Sequence, residues 1–239
     1  GVTSAAYSPD GERIVGASTS RTVMVWDSGS GKCTLSLKGH TDAVTSASYS
    51  PNGTRIVSAS RDKTLKVWDA TSGKLLLTLI GHTDSVISAV YCPDGERIVS
   101  ASDDKSVSIW EAESGRLFLS LIGHTGSVTS ATFDPDGTRI VSSSNDKTLR
   151  VWEASSGMLL LILEGHRNSV KGARYSANGQ YIVSASWDNT LKVWNAKTGV
   201  CCATFYADVS LHYCAWSPDG KYIIAGGDSG YIYWLRWME

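Results

Sequence analysis

Short runs of alternating apolar and polar residues, separated by polar turns, make up the whole chain. One cycle begins with the half-alternating run AVTSASYS (43–50), turns at SPNGT (50–54) and continues in RIVSAS (55–60). LKVW (65–68) and LLLTL (75–79) complete it, each bounded by a polar turn. Alternation with β-branched and aromatic residues is typical of strands, and Pro followed by Gly is typical of a tight reversal. The pattern predicts four short antiparallel strands per cycle.

The middle strands carry apolar residues on both faces, as neighbouring Val67 and Trp68 do. Successive side chains of a strand point to opposite faces, so a sheet of this kind must be covered on both sides. Each buried aliphatic side chain contributes roughly 1.5 to 3 kcal/mol, which leaves one such sheet marginal by itself. We therefore expect the sheets to stack on one another.

The cycle repeats with a fixed period. Five tryptophans lie 42 residues apart, at Trp26, Trp68, Trp110, Trp152 and Trp194. Gly-His pairs keep the same spacing at 39/40, 81/82, 123/124 and 165/166. The chain divides into six units within one expected domain, 1–239, namely 1–38, 39–80, 81–122, 123–164, 165–206 and 207–239.

Repeated segments carry a family resemblance. SASRDKTLKVWD (58–69) returns as SASDDKSVSIWE, SSSNDKTLRVWE and SASWDNTLKVWN. With the Gly-His pairs and the period, these segments resemble the WD-repeat family over essentially the whole chain. The resemblance implies an all-β β-propeller of six four-stranded blades. The first unit lacks its Gly-His and the last ends on its third strand, so both are expected to be incomplete, and a seven-bladed parent protein is left open.

A His, a Ser and an Asp recur in register in four units, which are the ingredients of a serine hydrolase. A catalytic triad is built once, whereas this set recurs wherever the Trp does, so no catalytic residue and no enzyme are predicted. The family resemblance implies hydrogen-bonded tetrads in which Asp orients His, His meets Ser, and Ser reaches the indole. Ser58 is favoured over Ser60 as the partner. The predicted tetrads are His40, Ser58, Asp62 and Trp68; His82, Ser100, Asp104 and Trp110; His124, Ser142, Asp146 and Trp152; and His166, Ser184, Asp188 and Trp194.

Charge and composition argue against nucleic acid, a membrane and a metal ion as binding partners. The 22 basic and 23 acidic residues are spread evenly, giving a net charge of −1, which disfavours nucleic acid as a partner. No apolar run approaches the roughly 18 residues of a membrane span, and the start lacks a secretory leader. The five cysteines form no CxxC pair and are expected to be reduced in a cytoplasmic protein. His212 could be a metal ligand, but the sequence offers no further ligands at a suitable spacing from it, so no metal or cofactor is predicted.

Positions that vary between near-identical units are interpreted as available for recognition. One position precedes the tetrad Asp, and another lies in the first strand of each unit. The resemblance places both on the narrower face around a central channel, where peptides dock. Trp187 beside Lys171 would make an anchor, although drift after duplication explains that Trp equally well. The candidate contacts are Arg61, Ile87, Asp103, Asn145, Lys171, Trp187 and His212.

The leading functional hypothesis is a rigid binding module for a protein or peptide, acting as a monomer or as part of a larger polypeptide. A more specific alternative is the ligand-sensing propeller of a NACHT- or NB-ARC-type signalling ATPase, whose repeats these resemble. An enzyme is the third class, and no single non-repeated cluster of acid, base and nucleophile supports it.

Overall fold

The computed structural model describes residues 1–238, apart from the side chain of Ser229, and contains six antiparallel sheets in chain order. The chain divides into two compact units, Gly1–Ile122 and a second from Gly123 onward. In the described residues no helix has the length and apolar character needed to cross a membrane.

The first unit holds three four-stranded sheets, and in each the strands neighbour one another in chain order. The first sheet consists of β1 (Val2–Tyr7), β2 (Arg13–Ser18), β3 (Thr22–Asp27) and β4 (Cys33–Lys38). The second consists of β5 (Val44–Tyr49), β6 (Arg55–Ser60), β7 (Thr64–Asp69) and β8 (Leu75–Ile80). The third consists of β9 (Val86–Tyr91), β10 (Arg97–Ser102), β11 (Ser106–Glu111) and β12 (Leu117–Ile122).

The second unit holds two four-stranded sheets and one of three strands. The fourth sheet consists of β13 (Val128–Phe133), β14 (Arg139–Ser144), β15 (Leu149–Glu153) and β16 (Leu159–Leu163). The fifth consists of β17 (Val170–Tyr175), β18 (Tyr181–Ser186), β19 (Thr190–Asn195) and β20 (Cys201–Tyr206). The last consists of β21 (Leu211–Trp216), β22 (Tyr222–Gly227) and β23 (Ile232–Arg236), with a 3₁₀ turn at Asp228–Gly230.

The turn residues fix where each hairpin reverses. Between β5 and β6, Gly53 has φ +71°, a left-handed conformation that costs glycine little. The side chain of Asn52 accepts the backbone N–H of Thr54 and thereby closes the turn. The strands then pair with Tyr49 opposite Ile56, and a β-bulge between Val44 and Ser46 shifts the register so that Val44 lies opposite Ser60.

Middle strands are buried on both faces, as the sequence predicts. Ile56 and Trp68 of the second sheet pack with Val15 and Val25 of the first. On the opposite face, Val57 packs with residues of the third sheet. One sheet thus contributes to two apolar cores.

The first sheet corrects one expectation. It was expected to be incomplete, yet it has all four strands, and among residues 1–238 only the last sheet, with three strands, is short. The missing Gly-His belongs to the loop before a first strand, so its absence leaves the strands themselves intact. The expectation of a single domain stays a prediction.

Candidate functional site

The first candidate site is the tetrad of the second sheet, formed by the loop before β5 and the strands β6 and β7. His40 Nδ1 lies 2.7 Å from Asp62 Oδ2, and His40 Nε2 lies 2.8 Å from Ser58 Oγ. The indole N–H of Trp68 donates to Ser58 Oγ over 2.8 Å. Ser60 is not part of this set, because its hydroxyl donates to the carbonyl of Ala43.

The same arrangement recurs in the third, fourth and fifth sheets. Each His contacts its Asp at 2.7–2.8 Å and its Ser at 2.8 Å. Each indole N–H donates to that Ser at 2.8–2.9 Å. The groups are His82, Ser100, Asp104 and Trp110; His124, Ser142, Asp146 and Trp152; and His166, Ser184, Asp188 and Trp194.

Hydrogen-bond chemistry assigns the protons of the tetrad. An indole N–H can only donate, so Ser58 Oγ accepts from Trp68. Because burial lowers the pKa of His40, its imidazole is neutral near pH 7, and Ser58 then donates to His40 Nε2 rather than to the carbonyl of Lys66, which lies 3.4 Å away. His40 Nδ1 carries the proton donated to Asp62, which also accepts the backbone N–H of Thr41.

Burial sets the ionisation of these groups. Desolvation lowers the pKa of His40, although Asp62 acts in the opposite direction. Burial by itself would raise the pKa of Asp62, but hydrogen bonds from Thr64, Thr41 and His40 hold it below its usual value. The tetrad consists of a neutral His and an ionised Asp.

The buried serines fit a structural role for the tetrads. The four tetrad serines are 0% exposed, and each Oγ already accepts an indole N–H. A serine nucleophile has to reach its substrate, whereas these hydroxyls lie inside the sheets. Their chemistry here is to satisfy the indole and imidazole groups of the core.

The first and last sheets do not have the serine of the tetrad. In the first, Gly16 stands at the serine position, and a Cβ placed there would lie 2.7 Å from the ring of Trp26. The indole therefore occupies the space that the serine would need. In the last sheet the position is Ala225, which is fully buried.

The second candidate site connects three consecutive sheets of the second unit. We call it the Trp187 network, and it consists of Asn145, Lys171, Trp187, His212 and Asp228. Lys171 Nζ lies 3.5 Å from the centre of the Trp187 ring and donates to Asn145 Oδ1 over 3.0 Å. The indole N–H of Trp187 donates to His212 Nδ1 over 3.3 Å. His212 Nε2 lies 2.7 Å from Asp228 Oδ1.

Asp228 was not among the candidates, although it belongs to the same series of residues as Trp187. Because Nδ1 of His212 accepts from the indole, its Nε2 carries the proton that is donated to Asp228. The signal in the sequence was the position of Asp228 in the variable series. The contact itself depends on the 3₁₀ turn at Asp228–Gly230.

The candidates in the first unit occupy the two variable positions: Arg61 and Asp103 precede the tetrad Asp, and Ile87 lies in the first strand of its sheet. Arg61 is exposed, whereas Ile87 and Asp103 are half-buried. The backbone N–H groups of Arg61 and Asp103 donate to the carbonyls of Ala43 and Ser85, which fixes their turns.

The variable position of the first strand is not free of the fold in every repeat. Thr3, Thr45 and Thr129 donate their hydroxyls to carbonyls of the following sheet at 2.6–2.7 Å. The interpretation that variation there means freedom from the fold is wrong for these three. At Ile87, Lys171 and His212 no such hydroxyl exists, and the side chain can serve another purpose.

Other chemistry is sparse in the described part of the chain. Residues 1–238 contain no group of three or more His, Cys, Asp or Glu side chains arranged to hold a metal ion. Cys92 and Cys214 are buried, and burial raises the pKa of Cys92 to about 11, so this thiol stays protonated near neutrality.

Comparison with known families gives one result that spans the chain. The model of the WD domain, G-beta repeat, matches six times, at 1–27, 31–69, 73–111, 115–153, 157–195 and 199–234. Each match after the first begins ahead of the outer strand of one sheet and ends at the Trp-containing strand of the next. No curated protein is similar enough to the chain to count as a match.

Proposed function

Because the chain belongs to the WD-repeat family, whose repeats generally serve as scaffolds for protein interactions, we propose that it binds a protein or peptide through the Trp187 network and performs no catalysis itself. The network then forms part of the narrower face that the family resemblance implies.

One observation carries the proposal: Trp187 is 41% exposed and yet held in place. Lys171 covers one face of the ring, and His212 meets it edge-on, with ring centres 5.8 Å apart. A large aromatic surface whose rotamer is already fixed loses little entropy on binding. Such residues are enriched among those that dominate binding energy.

The repeats supply the comparison that sets Trp187 apart from the scaffold. The equivalent turn position holds Thr19, Arg61, Asp103 and Asn145 in the other four-stranded sheets. The turn therefore forms without an aromatic residue. Drift after duplication would also leave a Trp there, but the contacts from Lys171 and His212 support selection for a fixed, exposed ring.

The chemistry of the network favours a particular type of contact. The exposed part of the indole is apolar, and Lys171 brings a positive charge to its other face. A partner side chain that packs on the ring with an acidic group beside Lys171 would meet complementary charge, whereas a basic group beside Lys171 would be repelled.

Affinity capture with matched variants tests the proposal. Trp187→Ala should weaken capture of the partner by about tenfold or more, because it removes a hot-spot aromatic. Trp234→Ala is the control, since Trp234 is 63% exposed on β23 and lies outside the network. Lys171→Met keeps the apolar stem and removes the charge, so it should weaken capture less.

Thermal unfolding of each variant accompanies the capture. We expect Trp187→Ala to melt close to the wild type, since the network lies on the surface. If Trp187→Ala retained full capture, or if Trp234→Ala lost as much, the network would not be the recognition surface.

A further inference from the structure

Within each unit, neighbouring sheets meet at a junction where an arginine of one sheet donates to a backbone carbonyl of the next. In the first unit, Arg13 Nη1 donates to the carbonyl of Ala70 over 2.8 Å, and Nη2 donates to that of Gly53 over 3.5 Å. The guanidinium carbon lies 5.5 Å from the centre of the Tyr49 ring. The chain thus shows how this junction holds a guanidinium group.

Two further junctions use the same arginine contact. Arg55 Nη1 donates to the carbonyl of Ala112 over 3.2 Å, and Arg139 Nη1 donates to that of Ala196 over 3.5 Å. The guanidinium is therefore a repeated part of the scaffold.

At the junction between the fifth and last sheets, different residues stand at the positions of the arginine, the tyrosine and the alanine of the first junction. Tyr181 begins β18 as Arg13 begins β2, and Trp216 ends β21 as Tyr49 ends β5. Trp237 takes the alanine position, because its N–H donates to the carbonyl of Lys221 in the way that Ala70 N–H donates to that of Thr54. The intrinsic arginine is lost from this junction.

Three aromatic rings take its place around a small cavity. The Trp237 ring centre lies 5.2 Å from that of Tyr181 and 5.9 Å from that of Trp216, and the two indole planes are perpendicular. A cavity of about 110 Å³ remains, lined by these rings and by two turns, at 176–178 and at 218–220. A planar cationic group fits a space of this size.

One anionic side chain, that of Asp219, lines the cavity. Asp219 Oδ1 accepts the hydroxyl of Ser217 and the backbone N–H of Lys221, and these bonds hold the pKa of the carboxyl below its usual value. The negative charge therefore persists at neutral pH. Gly220 and Trp237 also correspond to Gly53 and Ala70, whose carbonyls accept the guanidinium of Arg13.

We propose that this cavity, lined by Tyr181, Trp216, Trp237 and Asp219, binds the guanidinium group of an arginine side chain supplied by another protein. Guanidinium groups stack on aromatic faces and donate in a planar fork to carboxylate and carbonyl oxygens. The partner arginine takes the role that Arg13 has at the first junction. This site is separate from the Trp187 network and does not depend on the function proposed for it.

The test uses small probes and the intact chain. N-acetyl-arginine methylamide is titrated while the indole ¹H–¹⁵N resonances of Trp216 and Trp237 are followed, after assignment with Trp216→Phe and Trp237→Phe. Both tryptophans line the cavity, and their indole N–H groups are buried without a hydrogen-bond partner in the described residues, so their resonances report on a ligand bound there. We expect saturable shifts with the arginine probe and binding about tenfold weaker with the lysine analogue, which lacks the planar fork.

The citrulline analogue separates charge from hydrogen-bond acceptance. It has the shape of arginine, but its ureido oxygen would accept a bond from the orphaned indole groups. We expect it to bind about tenfold more weakly than arginine, because it lacks the charge that meets Asp219. Citrulline binding as tight as that of arginine would overturn the assignment of a cationic ligand.

Two variants give matched controls. Tyr181→Arg restores the residue type of the other junctions and should fill the cavity from within, which abolishes the shifts. Asp219→Asn should weaken binding about tenfold, and the turn tolerates it because Asn52 and Asn178 occupy the same position in other sheets. Undiminished binding by both variants, or no saturable shift up to about 100 mM of the arginine probe, would overturn the proposal.

Discussion

Removing the hydroxyl of Ser58 should be among the most costly small changes that the chain can undergo. Ser58 is fully buried, and its oxygen accepts the indole N–H of Trp68 while its hydrogen faces His40 Nε2. Ser58→Ala leaves both partners in the core without a hydrogen bond. Each buried polar group left unpaired costs about 1 to 3 kcal/mol, so we expect a loss of roughly 3 kcal/mol in the free energy of unfolding.

Urea unfolding followed by far-UV circular dichroism measures this loss without depending on tryptophan emission. Ser60→Ala is the matched control, since Ser60 lies on the same face of β6 and is equally buried, but its hydroxyl bonds only backbone groups: it donates to the carbonyls of Asp42 and Ala43 and accepts the N–H of Asp62. We expect it to cost about 1 kcal/mol. In a double-mutant cycle, Ser58→Ala in a Trp68→Phe background should cost at least about 1 kcal/mol less than in the wild type. Equal losses for both serines, or no coupling to Trp68, would refute the reasoning.

Two further predictions concern the first sheet and the dependence on pH. Gly16→Ser should destabilise the protein rather than build a fifth tetrad, because its Cβ would lie 2.7 Å from the ring of Trp26; a higher urea midpoint would contradict this. Burial lowers the pKa values of His40 and His166, so the folded protein takes up these protons less readily than the unfolded chain. Stability should therefore be full above the ordinary histidine pKa of about 6.5 and decline as the pH falls below it, and urea midpoints that rise on acidification would contradict the assignment of neutral histidines.

The sequence predicts the fold because the same local signals recur in every unit. The predicted fold class, an all-β WD-repeat propeller of six blades, is confirmed by the six family matches together with the six sheets, the last with three strands. The tetrad residues follow from the period, since each set keeps the same spacing from its Trp. The finer resemblance to NACHT- and NB-ARC-associated proteins stays a prediction, as do a signalling role and a cytoplasmic location.

Contacts between neighbouring repeats could not be predicted. Arg13 and Ala70 are 57 residues apart, and both are ordinary residues for a strand end and a turn. Nothing in the period indicates that one donates to the carbonyl of the other. The same limit hid the hydroxyl bonds of Thr3, Thr45 and Thr129, because a residue that looks variable along the chain can still be required by the next sheet.

The Trp187 network was predicted only as a set of positions. The variable series identified Lys171, Trp187 and His212, but the stacking of the ammonium on the indole and the bond to Asp228 depend on side-chain conformations. The identity of the residues was therefore available from the sequence, whereas their mutual support was not.

Hydrogen exchange with the captured partner tests the central claim most directly. Amide protection, read by mass spectrometry, would be compared for the chain alone and in complex. We predict added protection in the turns and strand ends that carry Asn145, Lys171, Trp187, His212 and Asp228. Added protection confined to other segments, with these five positions unchanged, would contradict the claim that the Trp187 network is where this WD-repeat protein recognises its partner.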